Sequence, residues 1–168
     1  MSIKVSPSQQ ISAGVLVFRF MRGRLQVLLG HPGGPYFAHR DAGAWGIPKG
    51  HVETDEFPIE AARREFEEET GFAAPQLQVS LGEIRQRGGK SVHAWGAEWG
   101  SEELPPLDSA TFEMEWPPRS GRTRSFPELD EIRFFDLEEA RAHMNDRQHI
   151  FVERLIGWLR TMGRLDPV

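Results

Sequence analysis

The stretch from residue 50 to residue 72 (GHVETDEFPIEAARREFEEETGF) constrains the fold of this chain more than any other part. A glycine-bearing loop runs into a predicted helix in which Glu65, Glu68 and Glu69 are spaced i, i+3 and i+4, so their carboxylates project from one side. The helix has a separate apolar arc formed by Ile59, Ala62 and Phe66. It can therefore pack against a sheet while its acids face a cleft.

Local signals mark both ends of this helix. Pro58 suits the first turn, where the missing backbone N–H is not needed, and Gly71 suits the left-handed position just past the last turn. We therefore predict a helix of about a dozen residues, an ordinary length for a globular protein.

The negative charge of this helix requires a positive partner. Like charges one turn apart destabilise an isolated helix by roughly 0.2–0.5 kcal/mol per pair, and residues 67–69 also crowd the negative end of the helix dipole. One explanation is a solvated acidic face paired with Arg63 and Arg64. The other is a divalent cation, because Mg²⁺ takes carboxylate oxygens together with waters and substrate phosphates.

The spacing of the stretch resembles the signature of the Nudix hydrolases. Gly50 is followed after five residues by Glu56, and after seven more by the block REFEEETGF that begins at Arg64. This resemblance favours the metal-binding explanation. It implies an α/β/α sandwich with a central mixed sheet, and a hydrolase that uses Mg²⁺ or Mn²⁺.

The same resemblance assigns roles to individual residues. The metal ligands would be the carboxylates of Glu65, Glu68 and Glu69, together with the backbone carbonyl of Lys49. Glu68 and Glu69 are also the catalytic candidates. The remaining fixed positions would support the structure of the loop and helix: Gly50, Glu56, Arg64 and Gly71. The general base stays open, and outside the stretch its candidates are Glu98, Glu113 and Glu115.

Length and composition exclude several other classes of protein. The 168 residues suit one domain over residues 1–168, and 39% hydrophobic with 27% charged residues is ordinary for a soluble globular chain. A net charge of −5 argues against binding a nucleic-acid polymer. The absence of cysteine excludes disulfides and zinc–thiolate sites. With no leader or membrane-spanning run in sight, we expect a cytoplasmic protein without membrane contact; the sequence gives no sign of its oligomeric state.

Hydrophobic periodicity predicts an α/β layered domain. Alternating or buried apolar runs predict strands over residues 11–20, 25–29, 77–87, 90–99, 111–116 and 132–135. Asp136 and Glu139 resemble a capping box that opens a short helix. A last helix carries a packing stripe: Phe151, Leu155, Trp158, Leu159 and Met162. Strands alternating with helices favour a mixed sheet between helical layers.

Two groups of cations are candidates for binding phosphate. Lys49 lies in a Pro-Lys-Gly sequence, which in the Nudix family often accompanies polyphosphate substrates. Arg119, Arg122 and Arg124 lie in residues 117–124 (PPRSGRTR), which we expect to be a flexible segment. Arginine suits bidentate contact with phosphate, although an exposed basic loop is an equally good explanation for each of the three.

The resemblance therefore implies a hydrolase that cleaves a diphosphate linkage in nucleoside-diphosphate-linked compounds. We expect nucleoside triphosphates or dinucleoside polyphosphates as small-molecule substrates. The proline or tyrosine that marks some Nudix subfamilies beyond the signature is absent from residues 82–92 (GEIRQRGGKSV). The alternatives are a hydrolase of ADP-ribose or nucleotide sugars, a Nudix-fold module that binds nucleotides without turnover, and an acidic helix without metal.

Overall fold

The computed structural model describes residues 10–167, which form a mixed sheet, a separate hairpin and three α-helices. The strands are β1 Ile11–Met21, β2 Arg24–Pro32, β3 Lys49–His51, β4 Leu77–Arg85, β5 Ser91–Glu98, β6 Thr111–Glu115, β7 Thr123–Pro127 and β8 Leu129–Asp136. The α-helices are α1 Pro58–Thr70, α2 Leu137–His143 and α3 His149–Thr161, with a 3-10 turn at Asp146–Gln148.

Strand β1 lies at the centre of the six-stranded sheet, whose order is β4, β5, β1, β2, β8, with β3 also on β1. It runs parallel to β5 and antiparallel to β2 and β3, so the sheet is mixed. On one edge it changes partner along its length: Ser12 to Gly14 pair with β3, whereas Phe18 to Met21 pair with β2. The loop that carries the acidic stretch therefore begins directly beside the middle of the sheet.

Helices cover both faces of the sheet. One buried cluster contains Leu16 and Phe18 of β1 with Phe151 and Leu155 of α3. The other contains Val15 and Val17 of β1 with residues of α1. Because β1 is buried on both faces, it is apolar along nearly its whole length instead of alternating. The predicted α/β/α arrangement with a central mixed sheet is confirmed.

Strands β6 and β7 form a two-stranded sheet of their own. The alternation of residues 111–116 predicts β6, but we expected the following residues, 117–124, to be a flexible segment. That expectation is wrong, because the segment turns into β7, in which Phe126 pairs opposite Phe112. Backbone bonds from Trp116 N to Arg122 O (2.8 Å) and from Ser120 N to Pro117 O (3.1 Å) order the turn.

Two sequence-based details of the C-terminal helices need correction. Asp136 caps α2 only by position, and its side chain makes no capping hydrogen bond. Its carboxylate instead accepts from Gln26 Nε2 at 3.0 Å and pairs with Arg24 at 3.6 Å. In α3 the packing stripe is confirmed except at Met162, which follows the last helical residue and is 57% exposed. Within residues 10–167, no helix is both long and apolar enough to cross a membrane.

Candidate functional site

Packing against the sheet fixes the orientation of α1. Ala61, Ala62 and Phe66 are fully buried against β1, β2 and β5, which turns the arc with Glu65, Glu68 and Glu69 away from the core. Gly71 ends the helix in the left-handed conformation, with φ of 86°. The helix spans the predicted length and presents its three acids toward the loop that precedes it.

Arg64 joins the loop to the helix. Its guanidinium donates to Glu56 through Nε at 2.8 Å and through Nη2 at 2.9 Å, and Nη2 also donates to the backbone carbonyl of His51 at 2.9 Å. On the helix side, Nη1 donates to Glu65 at 2.9 Å and to Glu68 at 3.2 Å. Because a planar guanidinium holds several acceptors in fixed directions, Arg64 sets the positions of two of the three acids.

Glu69 and Lys49 form a second contact between the helix and β3. The backbone amide of Lys49 donates to Glu69 Oε2 at 2.9 Å. Burial raises the pKa of Glu69 to about 8, although this hydrogen bond and the charge of Lys49 act in the opposite direction. A carboxyl with a pKa this high is one that a nearby cation would ionise.

Gly50 leaves space for the carboxylate of Glu65. A methyl group at residue 50 would overlap both Glu65 carboxylate oxygens, so a residue larger than glycine would displace the acid. Burial also raises the pKa of Glu65, against the lowering effect of its ion pair with Arg64. The loop backbone and the helix therefore form a tight wall on one side of a cleft.

These residues line a cavity of about 480 Å³, here called the carboxylate cleft, and a fourth acid from outside the helix lines it as well. The cleft is lined by Lys49, Glu65, Glu68, Glu69 and Glu128, among others. Glu128 is exposed as a residue, yet desolvation of its carboxyl raises its pKa while the charge of Lys49 lowers it. Its charge in turn raises the pKa of Glu65 and Glu69.

Glu128 was not predicted, because backbone contacts between distant segments bring it to the site. Its amide donates to Ala110 O at 2.8 Å, and the amide of Ala110 donates to Glu68 O at the end of α1 at 2.7 Å. The Gly33 amide donates to the carbonyl of Glu128 at 3.0 Å. The sequence around Glu128 carries no periodicity that marks it, since β8 begins only at Leu129.

The other predicted residues lie away from this cluster. Arg119 and Arg122 belong to the turn between β6 and β7, and Arg124 lies on β7 over the ring of Phe126 at 5.5 Å. All three are exposed, at the end of the hairpin remote from its base at the cleft.

The three outside candidates for the base are also separate from the cleft. Glu98 lies beside Phe18 near the far end of β1, where Arg164 binds both of its oxygens at 2.6 and 2.9 Å. Glu113 and Glu115 are exposed on β6. Of the residues around the hairpin, those that line the cleft are Ala110, Thr111 and Glu128.

The donor set of the cleft fits a hard divalent cation. Such ions take carboxylate oxygens. Glu65, Glu68 and Glu69 supply them from one helix, and Glu128 lines the same cleft. Among the described residues, no three acids or histidines lie close enough to one point to form a complete set of metal ligands. Arg64 holds Glu65 and Glu68, so these acids would have to share or leave that contact to bind an ion.

Comparison with known sequences identifies a shared family. A family model described as NUDIX domain matches residues 9–155. The "Probable DHNTP pyrophosphohydrolase" of Lactococcus lactis subsp. cremoris (strain MG1363) is 38% identical over 44% of this chain and 38% of its own length. The asymmetrical bis(5'-nucleosyl)-tetraphosphatase of Rattus norvegicus is 42% identical over 32% of this chain and 41% of its own length. The matched part thus spans well under half of each of these relatives.

Solved structures share the fold over nearly the whole chain. The binary complex of a C. elegans Ap4A hydrolase has a TM-score of 0.63 and 22% identity, covering 90% of this chain and 98% of that one. The NUDIX domain of Shewanella oneidensis NrtR complexed with ADP ribose has a TM-score of 0.64 and 15% identity, covering 90% and 89%. At these identities the likeness concerns the fold alone.

Proposed function

Because this chain belongs to the NUDIX domain family, we propose that it is a divalent-metal-dependent hydrolase that cleaves a diphosphate linkage in nucleoside polyphosphates. The observation that supports this most is the composition of one cleft. Lys49 can bind phosphate there, within electrostatic reach of Glu69 and Glu128. Acids that can hold a hard cation line the same space.

Each part of the cleft has a distinct task in this proposal. Glu65, Glu68 and Glu69, with the carbonyl of Lys49, would hold Mg²⁺ or Mn²⁺, which when bound neutralises charge on the phosphate oxygens and activates water. The ammonium of Lys49 would bind and orient the phosphate chain. Arg64, already saturated by contacts to the loop and helix, would keep the acids in position.

A general base must remove a proton from the attacking water. Glu68 and Glu69 stay candidates from the sequence, and Glu128 joins them because it lines the same cleft from a segment outside α1. Burial raises the pKa of the Glu69 and Glu128 carboxyls, and a base is most effective when its pKa is near the working pH. Glu98, paired with Arg164, has no comparable position.

The relatives indicate the substrate class. One relative is named a bis(5'-nucleosyl)-tetraphosphatase and the other a probable DHNTP pyrophosphohydrolase. The first name agrees with the dinucleoside polyphosphates expected from the Pro-Lys-Gly sequence. ADP-ribose is the second candidate, because a structural neighbour is complexed with it.

A phosphate-release screen with and without Mg²⁺ tests the proposal. It should include nucleoside triphosphates, dinucleoside polyphosphates, ADP-ribose, nucleotide sugars and coenzyme A. We expect Glu69→Gln to lower kcat/KM by roughly 10²–10⁴-fold, as for loss of an acid–base group. The folded structure should persist, since the glutamine oxygen can still accept from the Lys49 amide.

Glu67→Gln is the matched control, because Glu67 is exposed on the same helix and does not line the cleft. That variant should retain wild-type turnover and unfold at the same temperature. Wild-type activity in Glu69→Gln at saturating Mg²⁺ would overturn the assignment of the site. Binding of a nucleotide without any turnover would favour a non-catalytic module.

A further inference from the structure

The carboxylate cleft continues into two more cavities. The first, here called the central cavity, has a volume of about 280 Å³ and shares Lys49, Glu69, Gln86 and Glu128 with the cleft. The second has a volume of about 380 Å³ and shares Gln86 and other residues with the central cavity. Gln86, just after β4, lines all three spaces. The three spaces therefore adjoin one another in a row, and this row is the path that we consider for an extended ligand.

The last of these spaces, here called the arginine cavity, is lined by Arg40, Arg87 and Arg147. They come from three separate segments: the loop after β2, the turn between β4 and β5, and the 3-10 turn before α3. Asp146 is the one carboxylate residue in the lining. Three guanidinium groups against one carboxylate leave the arginine cavity positive, although the chain as a whole carries a net charge of −5.

None of the three guanidinium groups forms an ion pair with an acid of the described residues. Over residues 10–167, the ion pairs of the structure involve other arginines and histidines. Arg40 packs near the ring of Phe37 at 5.7 Å, which leaves its N–H donors available. Surface arginines elsewhere in the chain, such as Arg141 and Arg164, pair with glutamates. Arginines that converge without acids are suited to bind an anion with several oxygens.

We propose that the arginine cavity binds a phosphate group of the same substrate, remote from the linkage that is cleaved in the carboxylate cleft. This inference rests on the proposed function and narrows its substrate class to compounds with phosphate charge at both ends of the path. A chain of several phosphates, or a nucleotide with a further phosphate, meets this requirement. ADP-ribose does not, since its phosphates are adjacent and its terminal ribose is neutral.

The lining of the central cavity supports one extended ligand over two separate ones. Lys49 and Glu128 stand at its border with the carboxylate cleft, and Phe37 and Gln86 at its border with the arginine cavity. Trp45 also lines this space, so the wall between the two charged ends is partly apolar. A flexible chain with anionic groups at both ends, or a nucleoside between them, would satisfy Lys49 and the arginines together.

Binding without metal isolates the arginine cavity from the metal-dependent step. Calorimetric titration of the full chain with inorganic tripolyphosphate in EDTA should show one saturable site, because the acids of the cleft repel anions when no cation is present. The variant Arg40→Gln/Arg87→Gln/Arg147→Gln should bind at least tenfold more weakly. Arg87→Gln alone is a mild change in an exposed turn and should weaken binding at least threefold. This single variant tests the inference if the triple variant does not fold.

Arg85→Gln is the matched control, since Arg85 is exposed on the same hairpin but lies outside the lining. Its affinity should stay within twofold of the wild type. Orthophosphate should bind at least tenfold more weakly than tripolyphosphate, because it cannot reach from the arginines to Lys49. Glu69→Gln should bind tripolyphosphate at least as well as the wild type.

Three results would overturn the inference: no saturable binding to the wild type, a smaller loss than stated in both arginine variants, or orthophosphate binding as tight as that of tripolyphosphate. The last would make the cavity a site for free phosphate. Failure of the proposed hydrolysis has a different signature. Arginine-dependent binding would then persist in EDTA while the wild type released no phosphate from any substrate in the presence of metal.

Discussion

At the scale of single residues, His31 connects the loop after β2 to the rest of the protein. Its ring is buried, with Nδ1 at 2.7 Å from Asp130 Oδ1 and Nε2 at 2.6 Å from the backbone carbonyl of Arg40. Both partners offer acceptor oxygens, so the charged imidazole, in which both ring nitrogens donate, satisfies both contacts. Burial alone lowers the pKa of His31, but the Arg40 carbonyl and Asp130 outweigh it and raise the pKa.

This ring predicts a pH-dependent stability. Because the pKa of His31 is raised in the folded state, its contribution is complete below the ordinary value of about 6.5 and is lost as the pH rises through the folded-state pKa. His31→Phe keeps the ring contact with Trp45 but removes both hydrogen bonds. We expect it to lower the free energy of unfolding by about 1–3 kcal/mol at pH 5.5, and by less at pH 8.5.

Urea unfolding of the wild type and the variant at both pH values measures this difference. His39→Phe is the control, because His39 is an exposed histidine in the same loop. It should leave the stability unchanged at either pH. An equal loss for His31→Phe at pH 5.5 and 8.5 would mean that the ring is not charged in the folded protein.

At the scale of elements, a helix or strand can be predicted when the residues that determine it lie within the element itself. Helix α1 could be predicted because its start, its end and its two faces are all written within its own residues. Strand β7 could not, because the polar, arginine-bearing segment around it has no apolar alternation. Its pairing instead depends on Phe126 lying opposite Phe112 across the turn.

The glycines of two helices give a paired prediction. Gly71 after α1 has φ of 86°, and a Cβ there would lie 2.6 Å from the backbone oxygen of Asp108. Gly71→Ala should therefore destabilise the protein by about 1–3 kcal/mol, through the left-handed conformation and the overlap. Gly157 lies in α3, where a Cβ would meet nothing within 4 Å. Gly157→Ala should stabilise by about 0.5–1 kcal/mol.

Thermal or urea unfolding of the two variants checks both signs. The change is chemically the same in each case, so opposite effects would isolate the role of backbone conformation. A stabilised Gly71→Ala variant would contradict the left-handed end of α1 and its contact with residue 108.

At the scale of the whole molecule, a bound cation should stabilise the fold, since ligands that bind only the folded state shift unfolding. At a Mg²⁺ concentration 100 times its Kd, the gain is about 2.7 kcal/mol, or roughly 5–10 °C in Tm for a chain of this size. Glu65→Gln/Glu69→Gln should abolish most of this shift, and Glu67→Gln should retain it. An equal shift in the double variant would locate the cation elsewhere, and no saturable shift in the wild type would favour an acidic helix without metal.

Contacts between distant segments explain which parts of the candidate site could not be predicted from the sequence. Acids on one helix can be grouped by their spacing alone, as for Glu65, Glu68 and Glu69. Glu128 and the arginine cavity are assembled from segments far apart in the chain, and only the sheet and its connecting loops bring them together. The exposed arginines at residues 119, 122 and 124 stay a prediction for substrate contact, because nothing in their own segment tests them.

The β6–β7 hairpin has a further consequence for how such a molecule can diversify. Its base at Thr111 and Glu128 borders the carboxylate cleft, and the ladder of five residue pairs runs from Thr111 and Pro127 at that base to Glu115 and Thr123 at the turn. The two strands pair with each other and with no strand of the described central sheet, so the outer end of the hairpin is formed independently of that sheet. The hairpin can therefore change in length or sequence during evolution without moving the acids. The selection of a ligand and the chemistry of the carboxylate cleft can thus change separately.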